Sequence, residues 1–279
     1  MKRYKWMVLF ISILIVSAWL YRGNTIIETT ALTIQSDHIP ESFDGFKIAQ
    51  VSDLHNAVFG KDNHKLIEAL ENAEPDLIVV TGDVIDSRRT DVDVAYRFFE
   101  AAKSIAPVYY VTGNHEARLD VYATFESRIE DIGIHVLRNT SIELTKNNET
   151  VTLTGVDDPL FQQALSEEAT MINQLGRALP EESNYTILLS HRPEHFSLYE
   201  QAGVDLVFSG HAHGGQVRLP FIGGLIAPHQ GWLPQYTSGK YAKDETTMVV
   251  SRGLGNSLFP IRVNNPPELI VVTLEHSGE

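Results

Sequence analysis

Five short apolar runs, each ending in residues that bind metals or move protons, constrain this chain more than any other feature. Leu77-Ile78-Val79-Val80 reads as a strand buried on both faces, the kind found in the middle of a parallel sheet. Thr81 and Gly82 follow, and the glycine lets the backbone turn sharply before two carboxylates, Asp83 and Asp86. The same grammar recurs four times. Lys47–Val51 runs into Asp53 and His55, and Val108–Val111 runs into Gly113-Asn114-His115-Glu116. Thr186–Leu189 ends at Ser190-His191, and Asp205–Phe208 ends at Gly210-His211-Ala212-His213. Open α/β sheets keep their ligands beyond the carboxyl ends of the strands, so strands sharing a sheet bring these side chains to one rim. The chain has no cysteine. A metal at that rim is therefore held by oxygen and nitrogen, which suits manganese, iron or zinc.

Helical periodicity separates the runs. Val94, Ala95, Phe98, Phe99 and Ala102 predict a helix over 91–104, and further helices are expected over 63–72, 121–132, 166–179 and, briefly, 193–201. Other strand-like pieces lie at 31–34, 134–137, 142–144, 151–156, 217–219, 248–251 and 269–274. The first part alternates strand and helix, and the last part is mostly strand. That pattern predicts an α/β fold, a two-sheet β-sandwich flanked by helices. With 279 residues and 43% hydrophobic content, the chain can bury one large core. We place the domain at 46–279, after a connector and edge strand over 24–45.

Residues 1–23 are distinct. Lys2, Arg3 and Lys5 precede a nearly unbroken apolar run from Trp6 to Tyr21, followed by Arg22. Positive charge, an apolar segment and aromatic residues at both ends describe a membrane anchor or a signal peptide. The run is slightly short of the roughly 20 residues of a full span, which tilt and flanking side chains tolerate. Val16-Ser17-Ala18 also fits a signal-peptidase site. Of the two readings we favour an uncleaved transmembrane helix, with the basic end cytoplasmic and the domain extracytoplasmic.

The formal charge is -14, and no basic stripe is evident, which argues against a nucleic-acid partner. An anionic substrate then needs local positive charge, which divalent ions supply. Asp83 is the natural bridge, because a carboxylate can give one oxygen to each of two ions. Asp53, His55, Asn114, His191, His211 and His213 complete a set of ligands. Two ions about 3.5–4 Å apart hold a hydroxide between them and clamp the oxygens of an in-line displacement at phosphorus. His115 stands beside a ligand, free to protonate the leaving oxygen or stabilise the transferring group, and Asp86 could accept its ring N–H.

The segments Asp53-Leu54-His55, Gly82–Asp86, Gly113–Glu116, Ser190-His191 and Gly210–His213 resemble, in order and spacing, the five blocks of the calcineurin-like metallophosphoesterases. The resemblance implies a β-sandwich flanked by helices. It implies Asp53, His55, Asp83 and His213 on one metal, and Asp83, Asn114, His191 and His211 on the other, with His115 catalytic and Asp86 its partner. The anchor, Gly210–Gln216 and Gly253–Ser257 are similar to the small membrane-associated bacterial phosphodiesterase branch, which includes enzymes cleaving the pyrophosphate of a UDP-linked acylated glucosamine. The expected function is hydrolysis of a phosphodiester or pyrophosphate, on a lipid-linked or envelope substrate, by a metal-bridging hydroxide. A catalytically silent membrane scaffold and a phosphomonoesterase are the alternatives.

Other candidates read as ordinary structure. His64, His135, His195 and His276 are expected to be structural or exposed. Arg192 and Arg252 are expected in surface salt bridges rather than on a substrate phosphate. The irregular segment 220–241 holds Phe221, Ile222, Leu225, Ile226, Trp232, Leu233 and the ambiguous His229. Plain packing is its first reading, and an apolar lip resting on a membrane or lipid tail is the second.

Overall fold

The structure is a computed structural model that describes residues 2–181, 185–257 and 259–278. Helix α1 (Lys2–Thr25) stands exposed from Tyr4 to Trp19 and is the one described helix apolar and long enough to cross a membrane. The rest of the chain builds two six-stranded sheets.

The first sheet contains β1 (Glu28–Ser36), β2 (Lys47–Val51), β3 (Leu77–Thr81), β4 (Val108–Val111), β5 (His135–Val136) and the carboxyl-terminal β16 (Glu268–His276), in the order β1-β16-β2-β3-β4-β5. The steps β2-β3-β4-β5 are parallel, and helices α2 (His64–Ala73), α3 (Val92–Ala102) and α4 (Tyr122–Glu130) make the crossovers. Asp91 caps α3 by accepting from the amides of Asp93 and Val94. The second sheet contains β6 (Thr140–Lys146), β7 (Glu149–Gly155), β8 (Thr186–Leu189) and β9 (Leu206–Ser209), with α5 (Glu167–Ala178) and α6 (Phe196–Gln201) as crossovers. Four two-residue strands follow as two small ribbons, β10 (Arg218–Leu219) with β11 (Gly223–Gly224), and β12 (Ile226–Ala227) with β13 (Gly231–Trp232). The hairpin β14 (Gly239–Lys243) and β15 (Thr246–Val250) completes the order β14-β15-β9-β8-β7-β6.

The two-residue period of the strands sorts their side chains between layers. In β3, Leu77 and Val79 meet Leu153, Ile187 and Phe208 of the opposite sheet, while Ile78 and Val80 face Phe98 and Phe99 of α3. In β9, Val207 turns outward to Met171 and Tyr199 of α5 and α6. The fold is thus the expected two-sheet sandwich with helices outside. Strands β11, β12 and β13 lie within the stretch read as irregular, 220–241, and β14 begins in it. Strand β14 is a half-exposed edge strand, so alternation there carries little signal.

Candidate metal centre

The parallel strands β2, β3 and β4 of one sheet and β8 and β9 of the other end on a common rim. Their loops lock together through backbone bonds. Asp53 N donates to Gly82 O (3.0 Å), His55 N to Asp83 O (3.0 Å) and Asn56 N to Val84 O (3.1 Å). Gly82, at φ 86°, turns the chain where an added Cβ would meet Gly113 at 2.7 Å. Five of the seven expected ligands, Asp53, His55, Asp83, His211 and His213, have φ between 46° and 67°. Left-handed backbone is unfavourable for such residues, and its concentration here marks a place where the fold imposes strain.

All seven expected ligands converge. His55 Nε2 lies 3.2 Å from His213 Nε2, 3.5 Å from Asp83 Oδ2 and 3.9 Å from Asp53 Oδ1, and His213 Nε2 is 3.4 Å from Asp53 Oδ1. On the other side of Asp83, His191 Nε2 lies 3.3 Å from Asp83 Oδ2, 3.2 Å from Asn114 Oδ1 and 3.1 Å from His211 Nδ1. Bonds of about 2.1 Å place neighbouring donors of one ion roughly 3.0–3.4 Å apart, so both clusters fit a divalent cation. Asp83 Oδ2 is shared by the two. Burial lowers the pKa of His55 and of His213 to about 3, and holds His211, beside the Arg192 charge, well below its ordinary value. These rings are neutral, as ligation requires. Burial would lower His191 too, but the Asp83 carboxylate outweighs it and raises His191 to about 10. Its Nδ1–H donates to Thr81 O (2.7 Å), so the extra proton sits on Nε2, where a cation would bind.

His115 borders the same pocket, a cavity of about 210 Å³ that also holds Asp83, Asn114 and His211, with Arg88 and Arg118 exposed at its rim. Asp86 Oδ1 is 3.6 Å from His115 Nδ1, too far for the expected hydrogen bond. Ser87 fixes the ring in the opposite sense, its backbone N–H and hydroxyl both donating to Nδ1 at 3.0 Å. The ring proton therefore sits on Nε2, which faces Ser257 Oγ at 3.2 Å. Asp86 instead accepts from Arg88 N (2.9 Å) and Arg89 Nη2 (2.9 Å), shaping the turn that presents Ser87.

Glu116 is fully buried, and its carboxylate accepts from the amides of Asp83 (2.8 Å), Gly113 (2.8 Å) and Ile85 (3.1 Å). It stands in the block read for Asn114 and His115, but no local pattern shows what it holds. Arg192 is not on the surface. It is buried against Asp158, with Nη2 2.9 Å from Oδ1, because α5 and the loop after β7 close over it. Arg192 Nη1 and His211 Nε2 each lie 2.9 Å from His229 Nδ1, and the His229 ring stacks on His211. His229 thus belongs to the shell around a ligand. Arg252 does form a salt bridge, to Glu268 (2.8 Å) and Glu28 (3.2 Å). Among the described residues His64, His135 and His276 belong to no donor cluster, whereas His195 groups with Glu167 and Glu194 beside the His211–His229 pair. In segment 220–241 the packing reading fails for Phe221, Ile222, Trp232 and Leu233, which are exposed.

Residues 46–215 match the calcineurin-like phosphoesterase family. A Bacillus subtilis (strain 168) protein named as the metallophosphoesterase YkuE is 35% identical over 92% of this chain and 89% of its own. A Danio rerio protein named as a transmembrane protein with a metallophosphoesterase domain is 27% identical over 88% of this chain and 56% of its own. Among solved structures, Thermus thermophilus SoxB, described as a sulfate thiohydrolase, superposes with a TM-score of 0.51 at 13% identity, covering 85% of this chain and 57% of its own, a likeness of fold.

Proposed function

The chain belongs to the calcineurin-like phosphoesterase family, and on that footing we propose that it hydrolyses a phosphodiester or pyrophosphate bond with two divalent ions, of manganese, zinc or iron. The observation that carries this reading is the paired donor cluster meeting at Asp83 Oδ2. Asp53, His55, Asp83 and His213 would hold one ion, and Asp83, Asn114, His191 and His211 the other. Bound there, the ions would supply an activated water and polarise the phosphoryl oxygens.

The remaining work falls to the chain's own groups. Arg88 and Arg118 at the rim offer cationic contacts to a phosphate that an acidic protein otherwise repels. His115 holds a proton on Nε2 facing the pocket, in position to donate to a developing negative oxygen or to the leaving group. Ser87 keeps that tautomer in place.

A lipid-linked substrate fits the surroundings. Beside the metal pocket lies a mostly apolar groove of about 240 Å³, lined by Ile226, Ala227, Pro228 and Phe259 and reaching His213. Helix α1 anchors the chain in a membrane on this reading, and its basic start supports an orientation with the domain outside the cytoplasm. The test is hydrolysis of bis-p-nitrophenyl phosphate and p-nitrophenyl phosphate by the full chain in detergent, metal-free and with each ion restored. Metal-dependent diester cleavage, lost in Asp83→Asn and strongly reduced in His115→Ala, is the expected result. Two bound ions with no turnover of either ester would refute it in favour of a silent scaffold.

A further inference from the structure

We propose that the loops at the mouth of the metal pocket, 219–233 and 259–263, form a second membrane contact, docking on the surface of the bilayer that α1 crosses. The proposal rests on α1 being an anchor and is independent of the substrate. Phe221, Ile222, Trp232, Leu233, Phe259 and Ile261 are all exposed, Phe221 over its whole side chain (109%). Single apolar residues on a surface are ordinary, whereas six large ones on two joined loops mark a contact surface.

The loops are joined by backbone. Val217 pairs with Val263, Arg218 N donates to Val263 O (3.0 Å), and the Asn264 side chain donates to Arg218 O (3.3 Å). The same assembly grips the foot of the anchor. Asn24 Oδ1 accepts from Arg262 N (2.8 Å), and Asn24 Nδ2 donates to Arg262 O (3.0 Å). Ile261 therefore stands one residue from the anchor contact, and Phe259 three residues, at most about 11 Å of chain. Just above the foot, Trp19 and Tyr21 supply the aromatic pair expected where a helix leaves the hydrocarbon, and Arg22 follows. A bilayer crossed by α1 up to that level has its surface within reach of both loops.

A lipid surface is the occupant because the helix whose foot is hydrogen-bonded to the patch, through Asn24 and Arg262, is itself the membrane segment. Docking would turn the apolar groove beside His213 toward the bilayer, so that an amphiphile could enter from the leaflet.

The test uses the full chain in lipid nanodiscs, with Trp6→Phe and Trp19→Phe leaving Trp232 as the sole tryptophan. The expected result is blue-shifted Trp232 emission that is quenched when the acyl chains carry bromine. Adding Phe221→Ser and Ile222→Ser should weaken that quenching and leave hydrolysis of soluble bis-p-nitrophenyl phosphate unchanged. Hydrated, unquenched emission from incorporated protein would overturn the docking and spare the anchor. Blue-shifted emission that bromine does not quench, and that disappears with one chain per disc, would mean a second copy covers the loops and would also overturn it. A chain that does not enter the discs would overturn anchor and docking together.

Discussion

Glu116→Ala tests how the ligand loops are held. The substitution removes the carboxylate that accepts from three amides, those of Asp83, Gly113 and Ile85, their only acceptor among the described residues. An unsatisfied buried amide costs about 1–3 kcal/mol. Water entering the vacated space meets part of that, and burial together with the Asp83 charge raises the Glu116 carboxyl to about 7, so removing a strained charge recovers some free energy. The net loss is about 2–4 kcal/mol, against a typical total of about 5–15 kcal/mol. For a domain of this size that lowers Tm by roughly 4–16 °C. Glu116→Gln is the graded control. Its oxygen can serve Asp83 and Gly113, but its amide then faces the Ile85 N–H, a loss of about 1–3 kcal/mol. Asp83 sits at φ 51° and depends on these bonds to stay there. Misplacing its carboxylate by an ångström lowers turnover by about 100-fold. Thermal melting and bis-p-nitrophenyl phosphate hydrolysis by the metal-loaded protein read both effects. An alanine variant that melts and turns over like the parent would show that something other than Glu116 holds the loops.

Metal-free protein should gain about 2.7 kcal/mol for each ion supplied at 100 times its Kd, seen as a rise in Tm; no rise with any of the three metals would contradict the two-cation reading. Arg192→Met strands the buried Asp158 and should cost about 3–5 kcal/mol in urea unfolding, most of it regained by adding Asp158→Leu. In Gly210→Ala the new Cβ would lie 2.0 Å from Ser52 Oγ and 2.5 Å from Asp53 Oδ2, so titration calorimetry should show metal affinity reduced by about 10–100-fold. Unchanged affinity would mean the Asp53 loop adapts freely. His38 is raised by its hydrogen bond to Asp205, so its NMR titration should lie above the ordinary value and return toward it in Asp205→Asn. The sign follows: that contribution to stability is present below about pH 6.5 and is lost as pH rises through the raised value.

The sequence by itself determined the ligand-bearing strands β2, β3, β4, β8 and β9, the helices between them and the positions of the seven ligand-type residues, but not the short strands β11 to β13 or the edge strand β14. The reason is that each signal is local. An apolar run of four or five residues, rich in branched side chains and bounded by turn residues, suits a sheet interior, and the side chain that follows it emerges at the strand's end. The sequence did not show that β16, the last strand, inserts between β1 and β2, because pairing partners are chosen by the shapes of whole sheets. Nor did it show that Ser87 rather than Asp86 holds the His115 ring, a choice between neighbours made by the turn that Arg89 and Asp86 build. Arg192 and Asp158, Arg192 and His229, and Ser257 and His115 meet across 34, 37 and 142 positions of chain. Such contacts exist only once separate loops dock on one rim. The tertiary structure alone decided them, as it decided that Phe221 and Trp232 face outward, because burial depends on what the rest of the chain leaves uncovered.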